Sequence, residues 1–330
     1  MKMMHPDIFK EFEINVKRCY KFRGMYMCET DIGTKAICIS DYTPVQITLE
    51  HNIQEHLIEK GFTCLNQLNM SNKSTPYVSY CNRIYTMTDW NNGQAADFYN
   101  IEDINQSVRL LARMHMAGQG FNNLPQNIKL ANIKNLGETY EKRYRETIKL
   151  KRKIEHTGSR TDFEVLYLKN TSVYEEFQEI AKEFTNLLDY NKLMDVAGKS
   201  QNIAHHKYTY HNIIKTSENS TIITGFEKSG YDVQITDLAY LIRRIMQRNG
   251  WDINLLNSII DEYNKIIPLS QREWSVIKGM IIFPDRFAKL CNQYYHSKRR
   301  WNYNMFYRKL TKILEYKDNY VDCARQVMKW

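Results

Sequence analysis

Two short segments concentrate the groups able to do chemistry in this 330-residue chain: His205-His206-Lys207-Tyr208-Thr209-Tyr210-His211-Asn212 and Thr224-Gly225-Phe226-Glu227. Together they offer three imidazoles, an ammonium, an amide and a carboxylate. Asn212 and Glu227 are oxygen donors compatible with a hard divalent cation, but Mg²⁺ demands an octahedral shell built partly from carboxylates. One amide and one glutamate are a poor set. Lys207 is protonated near neutral pH unless strongly desolvated, so it cannot accept a proton there; it would repel a cation or contact an anion. His205, His206 and His211 are close enough in sequence to suggest Zn²⁺, yet their spacing fits no standard zinc site. No metal and no other cofactor is expected.

The elements that must position these segments follow from periodicity and turn chemistry. Residues 14–40 read as three strands, Asn15 to Arg23, Met25 to Thr30 and Thr34 to Ser40, turned at Gly24 and at Asp31-Ile32-Gly33. A helix over Val45 to Lys60 follows, with Ile53, Leu57 and Ile58 at helical spacing and Gly61 past its end. Tyr77 to Cys81 and Arg83 to Asp89 make a hairpin around Asn82, and Asp89 to Gly93 is the expected hinge. The remainder is mostly helical. Glu102 to Gly118 places Ile104, Val108, Leu111, Ala112 and His115 on one face. Helices are expected over Ile128 to His156 and Val173 to Tyr190, then a strand pair around Ile213-Ile214 and Ile222-Ile223. Further helices are expected over Thr236 to Asn249, Ile253 to Ile266, Gln271 to Ile282, Pro284 to His296, and a basic tail, Asn302 to Gln326.

Composition bounds the classes. With 43% hydrophobic residues the chain can bury a large core, and its length favours two lobes. It has no run of 18 apolar residues and no apolar leader, which predicts a cytoplasmic protein without membrane insertion. The seven cysteines, Cys19, Cys28, Cys38, Cys64, Cys81, Cys291 and Cys323, are odd in number and scattered, arguing against structural disulfides and a zinc knuckle. A net charge of +9 favours acidic partners. The densest basic run, Lys298-Arg299-Arg300 beside Trp301 and Tyr303, is the candidate for an acidic surface or polyanion. No nucleic-acid module signature accompanies it, so a nucleic-acid role is not expected.

The order and spacing of several segments carry a resemblance. Tyr85-Thr86-Met87-Thr88-Asp89-Trp90, Ala96-Asp97-Phe98, Ala112-Arg113-Met114-His115, Thr236-Asp237-Leu238-Ala239, Ile242-Arg243-Arg244, Arg248-Asn249-Gly250-Trp251-Asp252 and Phe283-Pro284-Asp285-Arg286-Phe287 resemble CotS-type spore coat proteins, which share the fold of aminoglycoside and choline kinases. The resemblance spans roughly Tyr26 to Trp301. It implies an α+β, protein kinase-like (aminoglycoside phosphotransferase-like) fold of two lobes: a β-rich N-lobe over residues 1–90 and a large helical C-lobe over 91–330.

Against that pattern the catalytic groups are replaced. The phosphate-gripping lysine of the third strand falls at Cys38, the catalytic-loop base at Lys207 and the metal-binding Asp at Gly225, while Glu55 is the expected helix partner of the missing lysine. Asn212 and Glu227 remain as vestiges. Gly24 stands alone where a glycine loop would cover phosphates. Asp237 matches the aspartate that anchors the catalytic loop through its backbone, and His206 sits where relatives carry glycine. Cys38 could be a reactive thiol, but a cysteine in an apolar strand is usually an inert core residue. Arg243 and Arg244 could bind an acidic group, the plainer reading being ion pairing on the C-lobe surface.

The resemblance implies a pseudokinase that assembles with other spore coat proteins, made in the mother-cell cytoplasm and deposited on the spore. One alternative is an active small-molecule or glycan phosphotransferase whose metal is held by Glu227, Asp232 or Glu218. Another is a polyanion-binding module.

Overall fold

The computed structural model describes residues 4–22, 24–125, 136–185, 187–217, 220–296 and 303–330. Its internal contacts divide the chain into two units, residues 1–131 with 197–237, and residues 132–196 with 238–330.

The first unit opens on a short helix that the sequence reading passed over, α1 (Pro6–Glu11), begun by Pro6 at its first position and the His5 ring at its cap. Strands β1 (Val16–Phe22), β2 (Met25–Thr30), β3 (Gly33–Ser40), β4 (Val78–Tyr80) and β5 (Arg83–Asp89) form a five-stranded antiparallel sheet in the order β1-β2-β3-β5-β4. All five lie where the sequence placed them, and the last ends at Asp89, where the hinge was expected. Strand alternation gives the sheet two faces. Cys28, Ile37, Tyr85 and Met87 pack with Ile8 and Phe12 of α1, whereas Ala36 and Cys38 point the other way.

Helix α2 (Pro44–Glu59) starts on a capping box between Thr43 and Gln46 and buries Ile47, Ile53 and Leu57. Helix α3 (Ile101–Ala117), capped by Asn100, buries the face read from sequence. Short strands complete this unit: β6 (Gly93–Ala95), β8 (Ile213–Thr216) and β9 (Thr221–Ile223) in one sheet, β7 (Ile203–Ala204) and β10 (Gly230–Tyr231) in another.

The second unit is helical. Helix α4 runs over Leu136–Glu155; residues 128–135 of its expected span lie outside the described residues. The helix expected from Val173 begins at Asp162, because Thr161 and Glu164 close a capping box there, and α5 (Asp162–Phe184) is followed by a separate α6 (Leu187–Lys199). Helices α7 (Ile235–Met246), α8 (Ile253–Asn264), α9 (Gln271–Ile282) and α10 (Asp285–His296) lie close to their expected positions. Gly279 on α9 is fixed by packing, since a Cβ there would meet Thr185 Cγ2 at 2.5 Å.

The tail is two helices, not one: α11 (Tyr303–Leu314) and α12 (Lys317–Met328). The break at Tyr316 lets α11 bury Phe306 and Leu310 while α12 turns Tyr320, Cys323, Ala324 and Val327 inward. Tyr320 packs edge-on to Trp251 and against Tyr174, at ring separations of 4.8 and 6.0 Å. No described helix is long and apolar enough to cross a membrane.

All seven cysteines are free thiols, but two of them meet. Cys19 and Cys28 are directly opposite across β1 and β2, with Sγ atoms 2.9 Å apart. Burial and the neighbouring Cys19 push the Cys28 thiol up, so Cys28 is not primed as a nucleophile at neutral pH. Under a disulfide oxidant at alkaline pH this pair is expected to close first. Thiol titration with peptide mapping after mild oxidation should find Cys19 linked to Cys28, and a Cys19→Ser variant should lose that peptide.

Candidate functional site: a loop organised by Asp237

The loop between β7 and β8 is held by one carboxylate. Asp237, in the first turn of α7 and 2% exposed, accepts the His205 backbone N–H at 2.6 Å on Oδ2 and the His206 N–H at 2.9 Å on Oδ1. The buried His115 ring of α3 places Nε2 3.4 Å from Oδ2. Burial acts to raise this carboxyl, but the hydrogen bond and charge of His115, with His206 and His205, outweigh it and hold the group down at about 2. The framework role expected of Asp237 rests on these contacts.

His205 continues the scaffold inward. Its Nε2 lies 3.1 Å from the Thr224 carbonyl, and its Nδ1 accepts the Lys207 N–H at 3.1 Å, which fixes a neutral tautomer. Burial pushes this imidazole down to about 4, against the opposing charge of Asp237. Tyr208 donates to the Ser107 carbonyl at 2.7 Å, and Gln234 Nε2 reaches the carbonyls of His115 and Ile203 at 2.8 and 2.9 Å. The loop is thereby tied to α3 by groups with no part in chemistry.

His206 has φ of +63°, the left-handed region that favours glycine. A glycine would meet that backbone requirement without strain. Here the histidine adopts it with its N–H on Asp237 and its ring nitrogen Nε2 3.5 Å from Asp232 Oδ2. His211 stacks on Tyr210 at 3.7 Å. The three histidines serve separate contacts, and among the described residues no group of His, Cys, Asp or Glu has metal-holding geometry.

Lys207 points its Nζ to Glu227 Oε1 in a direct ion pair. Burial works against the ammonium, but the Glu227 hydrogen bond and charge, helped by Tyr42 and Glu50, keep its pKa above the ordinary lysine value. It is a cation at any physiological pH. Asn212, the other vestige, donates Nδ2 to the Lys207 carbonyl at 2.9 Å. Gly225 has φ of +80°, and a Cβ there would meet Asn212 Nδ2 at 2.7 Å. The absent side chain is thus a packing requirement of this loop.

Glu55, the α2 carboxylate singled out in the sequence, accepts a hydrogen bond from Gln67. Glu50, five residues earlier on α2, feels the charges of the loop: burial and the charge of Glu227 push its carboxyl up to about 8, partly offset by Lys207. Cys38 shares this surroundings, its thiol pushed up by burial and then by Glu227 and Glu50. The strand does carry a lysine, Lys35, but three residues away it faces the opposite side and pairs with Asp89. Asp232, a candidate metal ligand, is buried and accepts the Val233 N–H at 2.7 Å. Glu218 lies outside the described residues.

The sequence pattern described as spore coat putative kinase YutH matches residues 5–327. This chain belongs to that family. Spore coat protein S of Bacillus subtilis (strain 168) is 19% identical over 318 residues, covering 93% of this chain and 88% of that protein. In structure the chain is similar to an aminoglycoside phosphotransferase from Alicyclobacillus acidocaldarius, with a TM-score of 0.86 at 17% identity, covering 100% and 98% of the two chains. A spectinomycin phosphotransferase solved with ADP and spectinomycin superposes at 0.61 with 12% identity over 98% and 97%. The fold of this YutH-family protein is the aminoglycoside phosphotransferase-like, two-lobed kinase fold that its sequence resembles.

Three substitutions rank the loop contacts. Asp237→Ala should cost roughly 3 kcal/mol or more, because it leaves buried donors without an acceptor. Gly225→Ala should cost about 1 to 2 kcal/mol from the left-handed backbone alone, with the Asn212 clash added. Lys207→Ala, partly exposed, should cost least; urea melts that reverse this order would refute the anchoring role of Asp237. The pH dependence has opposite signs in two places. His205 has its folded pKa depressed to about 4 from an ordinary 6.5, so its contribution is complete above about 6.5 and is lost as pH falls through about 4. Glu50 is raised to about 8 from 4.5, so it costs stability increasingly as pH rises across that interval. Glu50→Gln should therefore match the parent below pH 4.5 and melt higher than it above pH 8.

Proposed function

We propose that this member of the spore coat kinase-like family is a pseudokinase that works by binding, in coat assembly. The observation that carries the reading is the Lys207–Glu227 ion pair: where a kinase of this fold needs a base and a divalent cation, this chain places an ammonium already matched to the remaining carboxylate. A base must have a free lone pair, and this one is protonated. A metal must meet oxygen anions, and the one oxygen anion of the loop is occupied. Cys38 and Gly225 supply neither charge nor ligand. A phosphotransferase rewired through Asp232 would have to strip that carboxylate of its backbone donor and its histidine neighbour.

On this reading the protein is made in the mother-cell cytoplasm, joins other coat proteins on the spore surface and needs no cofactor. Its partners are other coat proteins, with the basic run Lys298-Arg299-Arg300 as one candidate contact; that run lies outside the described residues.

Two measurements test it. A ligand at a hundred times its Kd stabilises a fold by about 2.7 kcal/mol, so a melting assay with ATP and Mg²⁺ at millimolar concentration should show no Mg²⁺-dependent shift; a clear shift would overturn the assignment. For the surface, the triple change Lys298→Glu, Arg299→Glu and Arg300→Glu should abolish localisation of the tagged protein in sporulating cells while leaving its circular dichroism melt unchanged. Normal localisation would rule out this run as the contact.

A further inference from the structure

The second unit contains a concentration of positive charge that the kinase comparison does not use. Asp285, at the start of α10 and itself buried, is the only acid at its centre among the described residues. It takes Arg143 of α4 on Oδ1, and Arg243 of α7 at 2.9 Å and Lys289 of α10 at 2.8 Å on Oδ2. Three cations share one carboxylate. Arg244 and Arg286 stand beside them, both exposed, and neither has an acidic partner among the described residues.

The imbalance is felt by the groups themselves. Although Lys289 touches Asp285, burial and the charges of Arg143, Arg243 and Arg244 push its ammonium down to about 8. Arg286 is held below the ordinary arginine value by burial and by Arg244, Arg243 and Arg248. A buried arginine persists only where its charge is matched, and the Arg243 side chain is 5% exposed. Its one acid is shared with two other cations.

Two of these cations, Arg243 and Arg286, line a cavity of about 50 Å³. Arg243, Arg286 and Lys312 enter its wall, Gln247 adds an amide, and Trp251 and Tyr316 supply flat apolar surface. Asp285, the one acid in the wall, is already saturated by its own partners. An anion is the ligand that this lining would match. A single carboxylate would leave most of this charge unmatched. A phosphate monoester brings two negative charges and three acceptor oxygens, which guanidinium forks engage in pairs.

We infer that this cavity is a binding site for a phosphate monoester, its phosphoryl oxygens held by Arg243, Arg286 and Lys312 and its organic part lying against Trp251 and Tyr316. The site is independent of the degenerate catalytic loop and involves no phosphoryl transfer.

The test uses the full chain and glycerol 3-phosphate as the probe, followed by calorimetry and by melting temperature at constant ionic strength, with dimethyl phosphate and acetate as comparison anions. Saturable binding of the monoester is expected, with the other two anions weaker by about tenfold or more, as one charged hydrogen bond lost implies. Arg286→Ala with Lys312→Ala should abolish it. Both side chains are exposed, so the unliganded melt should be unchanged; should it fall, Arg286→Gln alone gives the same comparison, with an expected loss of about tenfold. No saturable binding at millimolar monoester, equal binding of dimethyl phosphate or acetate, or undiminished binding by the variants would each overturn the assignment.

Discussion

The loop geometry of the first unit depends on a single buried carboxylate. Two consecutive backbone N–H groups, of His205 and His206, converge on the two oxygens of Asp237, and convergence of that kind forces the chain into a tight turn. His206 can hold a left-handed conformation because its N–H is fixed there; without the acceptor, the backbone would relax to a more favourable region. From the turn onward the remaining positions follow. His205 is driven inward to Thr224, Lys207 is directed to Glu227, and Asn212 closes back on the Lys207 carbonyl. A family can therefore change every chemical group in such a loop and keep its shape, provided the anchor stays.

The same logic explains which parts of the molecule were legible in its sequence. The five strands, α2 and α3 announce themselves through alternation, capping residues and a one-sided apolar face, all local properties. Asp237 was legible through its place in Thr-Asp-Leu-Ala. Glu50 was not, because choosing between it and Glu55 requires knowing which face of α2 turns toward Glu227, a matter of tertiary packing. The ion pair between Lys207 and Glu227 joins residues twenty positions apart and leaves no local mark.

Other differences arise where local and global preferences compete. Nothing in the stretch Asn302 to Gln326 contains a proline or glycine to stop a helix, yet it breaks at Tyr316 because two sets of apolar residues must reach the core from different directions. Short strands such as β6 and β7 have too few residues to show alternation and exist only through their partners. The helix α1 is a single Pro-initiated segment whose purpose, covering Ile37, Tyr85 and Met87, is invisible until the sheet is in place.

An ammonium covalently attached to the chain differs from a bound Mg²⁺ in one thermodynamic respect. A metal or nucleotide that binds only the folded state makes stability rise and fall with its free concentration. Lys207 is always present at unit stoichiometry beside Glu227, so the neutrality of this loop is decoupled from the supply of divalent ions and nucleotides around it. The fold's charge balance here is written into the polypeptide, and it is as constant in a depleted compartment as in a replete one.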